Sequence, residues 1–338
     1  MPAQGAGSVA EFLQIWPDYR GLWALALGYS FVRKNMVAPR EKSAMGTAKR
    51  AASTAQVNRD QLECAQGEIV FCRRAPDEKA PEVVVPTFED HPMVSYDVSI
   101  RNARSIVDEL SLDKEGFTLI RHKTSCADVR DPEVMRERYL EEMVPFLKSY
   151  FNASWVVPRR SGLYIRRSEG AGIPKGGWNK VSGVRQPGAM AHVDFASIAG
   201  PVAAAAENQV QGIPIRPYSR MMVIQAWRAL SPPPQDFPLA FCDASTVLDS
   251  DIDVFEYVAN TRNEPGSAFK TCGLRFNPAQ RWYYFPEMVA DELILFKGYD
   301  SDEHYKPQSP HSAFDDRRAY PNAKPRESVE ARFFVYYA

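Results

Sequence analysis

Apolar and β-branched residues fall in short runs along the chain, and prolines, 26 in all, break those runs apart. Runs with strand character are Glu68–Cys72, Glu82–Val85, Val94–Ile100, Phe117–Arg121, Ser154–Val157, Leu163–Ile165, Arg220–Trp227, Leu239–Cys242, Arg281–Phe285, Leu293–Lys297 and Ser328–Tyr337. Many short strands with turn signals between them predict a sandwich or barrel rather than a helical bundle. One helix is marked: Asp131 as N-cap, Pro132 at the first helical position, Glu133 at the positive end of the dipole. Met135, Tyr139, Met143, Leu147 and Tyr150 then make one apolar face. Pro145 is expected to kink or split this helix, and Asn152 to end it. A second helix is expected over Pro201–Val210. The predicted fold is mainly β with supporting α-helices, a jelly-roll core buttressed by helices.

With 338 residues, 45% hydrophobic and 12% aromatic, the chain can bury a substantial core. Lys and Arg total 41 against 42 Asp and Glu. That balance gives no reason to expect a nucleic-acid or anionic-membrane partner. Cys64, Cys72, Cys126, Cys242 and Cys272 form no CxxC pair, so reduced thiols in a cytoplasmic protein are expected. The run Gly21–Val32 is shorter than the about 20 residues of a bilayer span and makes a poor signal peptide. No integral membrane span is therefore expected; a docking helix there, followed by a linker or exposed helix over Arg40–Thr54, is. The expected organisation is an N-terminal extension over 1–60, helical or partly mobile, and one jelly-roll domain over 61–338. The oligomeric state, homodimer included, stays open.

The chemistry centres on few histidines: His91, His122, His192, His304 and His311. In Ala191-His192-Val193-Asp194-Phe195, read as a strand, His192 and Asp194 point the same way. An imidazole and a carboxylate so placed, joined by a second histidine, make the two-His-one-carboxylate set of non-haem iron(II) oxygenases, with open metal positions. HxD alone is a weak signal. The third ligand is His311, fixed between Pro310 and an Ala-Phe pair, or His304, in a polar loop. We prefer His311; His91 and His122 are read as structural or surface residues. Further on, Arg326, Ser328, Glu330 and Arg332 share one face of the last strand. Beside a metal, Arg326 can pair in bidentate fashion with the distal carboxylate of 2-oxoglutarate, and Ser328 can add a hydrogen bond. Glu330 and Arg332 are equally well read as a simple ion pair on a solvated edge.

These residues resemble a known group: the fungal and bacterial oxygenases of secondary metabolism that include gibberellin desaturase-like and cephamycin-cluster hydroxylase/desaturase proteins. They are similar in turn to the wider iron(II)/2-oxoglutarate dioxygenases. The resemblance is carried by Gly116-Phe117-Thr118-Leu119, Gln186 to Phe195, Ala226-Trp227-Arg228-Ala229-Leu230, Pro238 to Asp243, Trp282-Tyr283-Tyr284-Phe285-Pro286, Lys297 to Ser301, Pro310 to Phe314 and Arg326-Glu327-Ser328. Each motif is weak alone; their order is more specific. Where the group often has Asn-Val-Trp-Arg-Pro-Leu, this chain has Gln225-Ala226-Trp227-Arg228-Ala229-Leu230. The resemblance implies a double-stranded β-helix, iron ligands at His192, Asp194 and His311, and keto-acid contacts at Arg326 and Ser328. It makes Arg228 a further candidate for cofactor or substrate. Implied with these are iron(II), 2-oxoglutarate and dioxygen, and hydroxylation, desaturation or oxidative cyclisation of a natural-product or amino-acid-derived substrate. Phe195, Trp227, Tyr283 and Tyr284 are candidates for the substrate pocket, though plain core packing explains them as well. An iron oxidase indifferent to 2-oxoglutarate, or a metal-binding jelly roll without catalysis, would use the same three ligands. A zinc hydrolase fits the spacing poorly.

Overall fold

The computed structural model describes residues 57–73, 92–169, 185–260, 265–305, 308–318 and 320–338. The expected strand Glu82–Val85, the segments expected over Gly21–Val32 and Arg40–Thr54, and His91 lie outside them. The elements in chain order begin with β1 (Cys64–Cys72), β2 (Met93–Asn102), β3 (Phe117–Arg121), α1 (Pro132–Tyr150), β4 (Trp155–Pro158), β5 (Tyr164–Arg167), β6 (His192–Val193) and α2 (Ala199–Val210). They continue with β7 (Arg220–Ala229), β8 (Leu239–Cys242), β9 (Ile252–Asn260), β10 (Pro265–Leu274), β11 (Trp282–Tyr284), β12 (Glu292–Asp300), β13 (His311–Ala313) and β14 (Glu327–Tyr337). Contact density groups 57–200 with 216–338 in one compact unit, which holds both sheets described below; 201–215 fall outside it.

The strands form two sheets. One has the order β1-β2-β11-β8-β13-β6-β10-β9. The other runs β3-β12-β7-β14-β4, with β5 also on β14. They face each other across a core to which β3, β7 and β12 contribute Phe117, Trp227, Ile294 and Phe296, and β8 and β11 contribute Phe241 and Tyr283. The outer face of the second sheet is covered by α1, whose Met135, Tyr139, Leu140, Met143 and Leu147 pack on Val329, Ala331, Phe333 and Val335 of β14. Each such side chain contributes roughly 1.5–3 kcal/mol when fully buried. The first sheet carries its own cluster on its other face, with Phe71, Ile100, Trp282, Tyr284 and Phe314. This two-sheet, strand-rich architecture is the jelly roll expected from the pattern of short runs.

Helix α1 starts as its sequence dictates: Asp131 accepts hydrogen bonds from the backbone N–H of Glu133 and Val134. It is not split at Pro145. Pro145 lies on the exposed side of the helix, so the missing N–H and the freed carbonyl one turn earlier face water. The helix stops at Asn152, whose φ of 47° is left-handed. Among the described residues no helix is long and apolar enough to cross a membrane.

Candidate metal centre

Strand parity decides what can meet in the space between the sheets. On β14 the odd residues from Val329 to Val335 pack on α1. The even residues Ser328, Glu330 and Arg332 therefore point inward. The register of β14 on β7 pairs Ser328 with Ala229, Glu330 with Trp227 and Arg332 with Gln225. Strand β12 continues the rows, with Ile294 opposite Trp227 and Phe296 opposite Gln225. From the facing sheet, β6 and β13 pair directly, His192 beside His311.

His192, Asp194 and His311 come together, each offering one ligand atom, and those atoms lie within 4.8 Å of one another. Nε2 of His192 is 3.7 Å from Oδ1 of Asp194, and Nε2 of His311 is 4.0 Å from Oδ2. Both imidazoles are held from behind. Nδ1 of His192 donates to the Met190 carbonyl at 2.7 Å, and Nδ1 of His311 to the Ser309 carbonyl at 3.1 Å. A carbonyl only accepts, so each Nδ1 carries a proton and each Nε2 is the ring nitrogen turned to the site. Two imidazoles and one carboxylate converging in this way are the donor set of a non-haem iron(II) site.

The electrostatics favour a cation. Burial alone would raise the Asp194 carboxyl. The Arg332 guanidinium instead holds it far below the usual carboxylate range. Burial, with His192 beside it, pushes His311 down to about 4, so it is neutral at physiological pH. Nη2 of Arg332 donates to Oδ2 of Asp194 at 2.8 Å and is 2.5 Å from Oε1 of Glu330. Burial would also raise Glu330; Arg332 and then Arg166 hold it low. Glu330 and Arg332 are thus an ion pair, but a buried one joined to a candidate metal ligand rather than the solvated edge the sequence allowed.

Arg326 lies just before β14 and is 1% exposed; Ser328 is equally buried. Nη1 of Arg326 donates to the Phe237 carbonyl at 2.6 Å, and its guanidinium lies 5.5 Å from the centre of the Trp227 ring. Among the described residues no carboxylate pairs with that guanidinium, and neither Nε of Arg326 nor Oγ of Ser328 has a hydrogen-bond partner. Burial, and then the neighbouring Arg166, push Arg326 down to about 9. A buried guanidinium and hydroxyl with unused hydrogen-bonding capacity fit an incoming carboxylate.

Three candidates do not join this group. Arg228 pairs with Val329 across the ladder and so points to the outer face. There it donates to the Ala290 carbonyl at 2.7 Å, the His122 carbonyl at 3.0 Å and the Tyr139 hydroxyl at 3.1 Å. Trp227 and Arg228, neighbours on one strand, face opposite ways. The same parity separates Tyr283 from Tyr284. Tyr283 faces the core between the sheets. Tyr284 turns to the other face, where its ring meets Phe314 edge-on at 5.2 Å. His304 is 89% exposed and bonded to Asp302. Phe195 and Trp227 are buried close to the site, Phe195 directly after Asp194. Sequence reasoning missed Arg166, opposite Ser328 in the β5–β14 register, because nothing upstream marked β5 as a neighbour of the site.

Comparison with known proteins agrees with this architecture. A family model described as an oxidoreductase/YMDC permease-like domain matches residues 69–336. The hydroxylase/desaturase efuI of Hormonema carpetanum is 31% identical over 255 residues, covering 71% of this chain and 83% of that protein. The Fe(II)/2-oxoglutarate-dependent dioxygenase nvfI of Aspergillus novofumigatus is 32% identical over 118 residues, 35% of this chain and 41% of its own length. A solved structure of the iron and alpha-ketoglutarate-dependent endoperoxidase NvfI superposes with a TM-score of 0.64 at 21% identity, covering 81% of this chain and 98% of that one. That likeness establishes the shared fold.

Proposed function

The chain belongs to the hydroxylase/desaturase family of oxidoreductases, and from that membership we propose that it is a non-haem iron(II), 2-oxoglutarate-dependent oxygenase with His192, Asp194 and His311 as its metal ligands. The observation that carries the reading is the buried Arg326–Ser328 pair, whose unused Nε and Oγ lie just before and at the start of the strand that also brings Arg332 to Asp194. An oxidase that ignores 2-oxoglutarate would leave this buried cation without an anion, at a cost of several kcal/mol.

When bound, iron(II) with 2-oxoglutarate and dioxygen supplies an oxidant able to attack an unactivated C–H bond, the keto acid leaving as succinate and carbon dioxide. The chain's own residues do the rest. Met190 and Ser309 carbonyls fix the imidazole tautomers. Arg332 orients Asp194 by occupying Oδ2. Arg326 and Ser328 bind the distal carboxylate, and the Trp227 face under Arg326 excludes water from that contact. Phe195 and Trp227 border the substrate, a small natural product or amino-acid derivative that is hydroxylated, desaturated or cyclised. We read residues 61–338 as the oxygenase domain and place it in the cytoplasm, consistent with five free thiols.

The test is product analysis. Iron(II)-loaded protein under air, with ascorbate present to reduce the oxidised iron when no substrate takes the second oxygen atom, should convert 2-oxoglutarate to succinate and carbon dioxide, and His192→Ala should abolish the conversion. Demonstrably iron-loaded protein that forms no succinate would replace this reading with the oxidase or the non-catalytic metal-binding one.

A further inference from the structure

Gln225 stands in the middle of β7 and is fully buried, yet neither its Oε1 nor its Nε2 has a hydrogen-bond partner. Leaving a buried amide unpaired is costly, because the water it gave up is not replaced by any partner. Its place in the sheet says what it faces. Gln225 lies between Arg332 on β14 and Phe296 on β12 in the ladder, so the three side chains form one inward row. At one end of that row Arg332 reaches Asp194. At the other, the Phe296 ring lies 4.8 Å from the His311 ring. The amide between them confronts the metal ligands.

It does not belong to the carboxylate anchor. That anchor, Arg326, lies over Trp227, two residues along β7 from Gln225 and hence roughly 7 Å away along the strand. Opposite Arg332 the amide is flanked by apolar rings, Phe296 in the ladder and Phe195 beside Gly298. A glycine keeps this arrangement open: a Cβ at Gly298 would come 2.9 Å from the Phe195 ring and 3.3 Å from Nε2 of Gln225.

We propose that Gln225 recognises the substrate, and that it pairs with a group presenting a donor and an acceptor side by side, as a cis-amide (lactam) does, on an otherwise apolar molecule. This rests on the oxygenase reading above for the identity of the site. The primary amide of glutamine offers N–H and C=O in that same arrangement. A lactam closes a ring of two hydrogen bonds with it and satisfies both orphaned atoms. A ketone or an ether satisfies Nε2 alone and leaves Oε1 buried and unpaired.

The probe is quinolin-2(1H)-one, an aromatic lactam, compared with N-methylquinolin-2-one, in which the donor is blocked. Binding is measured by calorimetry on metal-free protein and on protein carrying iron(II) and 2-oxoglutarate without oxygen. The lactam should bind about tenfold tighter than its N-methyl analogue, as loss of about 1.4 kcal/mol requires. In Gln225→Met, which keeps the volume and removes the amide, the preference should disappear while the thermal midpoint stays at or above the parent's. Gln225→Leu is the second variant if the first does not fold. No lactam binding, equal binding of both probes by the parent, or a preference that survives in the variants would overturn the proposal. The two readings fail separately. Lactam preference without any keto-acid binding rejects the oxygenase reading alone; keto-acid binding without lactam preference rejects the role of Gln225 alone.

Discussion

Arg332 donates a 2.8 Å hydrogen bond to Oδ2 of Asp194, a residue 138 positions earlier in the chain. The bond leaves Oδ1, 3.7 Å from Nε2 of His192, to serve a metal. It also separates Asp194 from Glu330, the other buried carboxylate, which Arg332 pairs at 2.5 Å. Arg332→Met should therefore weaken iron(II) affinity by about 10- to 100-fold, the usual cost of losing a partner of a metal ligand. Competition with a chromogenic chelator measures it. An affinity within threefold of the parent's would mean that Arg332 is only a packed ion pair.

Arg326 and Ser328 should separate co-substrate binding from metal binding. Arg326→Gln is expected to raise the 2-oxoglutarate KM by about 100-fold, roughly 2.7 kcal/mol, in the range for a buried charge-assisted pair. Ser328→Ala should raise it about fivefold, the worth of one hydrogen bond. Succinate formation against keto-acid concentration gives both numbers, and iron(II) binding should not change. A KM unmoved by Arg326→Gln would send the carboxylate elsewhere.

Arg228 should behave in the opposite way. It holds Ala290, His122 and Tyr139 together on the face under α1. Arg228→Lys cannot make all these bonds. The expected loss is about 2 kcal/mol, a fall of roughly 3 °C in Tm for a chain of this length, with the 2-oxoglutarate KM unchanged. A raised KM at unchanged Tm would return Arg228 to the site.

Asp316 makes stability depend on pH. Burial, and then Asp315, push its carboxyl up to about 7, above its ordinary value of 3.8. Its stabilising contribution is complete below the ordinary value and is lost as pH rises through 7. Because the parent loses stability throughout the interval from 3.8 to 7, Asp316→Asn should raise Tm at pH 5 and raise it by about 2 °C or more beyond that at pH 8, where the parent must bury a charge. Equal shifts at both pH values would show that the carboxyl is ionised throughout.

The strands with strong apolar character were legible in the sequence, and β3 and β8 run over the expected residues. So was α1, because its cap and its apolar face are local signals. Strands β9 and β10 were not expected. The sequence Pro265-Gly266-Ser267-Ala268 carries little strand propensity, and the pairing of β10 with β9 and β6 is what makes it a strand. Strands β6 and β13 are two and three residues long, too short to mark a period, yet they deliver both histidines. The HxD spacing carried that information instead. Facing direction was the harder part. Trp227 and Arg228, like Tyr283 and Tyr284, are adjacent in sequence and opposed in space, and only the register tells which of each pair looks inward. Gln225 entered the sequence reading only as a departure from the group's Asn, since an unpaired amide is a property of its neighbours.

The central claim is that His192, Asp194 and His311 hold an iron(II) that chelates 2-oxoglutarate anchored by Arg326. Anaerobic titration of iron(II)-loaded protein with 2-oxoglutarate tests it most directly, through the weak visible charge-transfer band of a chelated keto acid. The band should appear and saturate, be lost in His311→Ala, and persist in His304→Ala. Iron-loaded protein that gives no band, or a band that survives in His311→Ala, would contradict it.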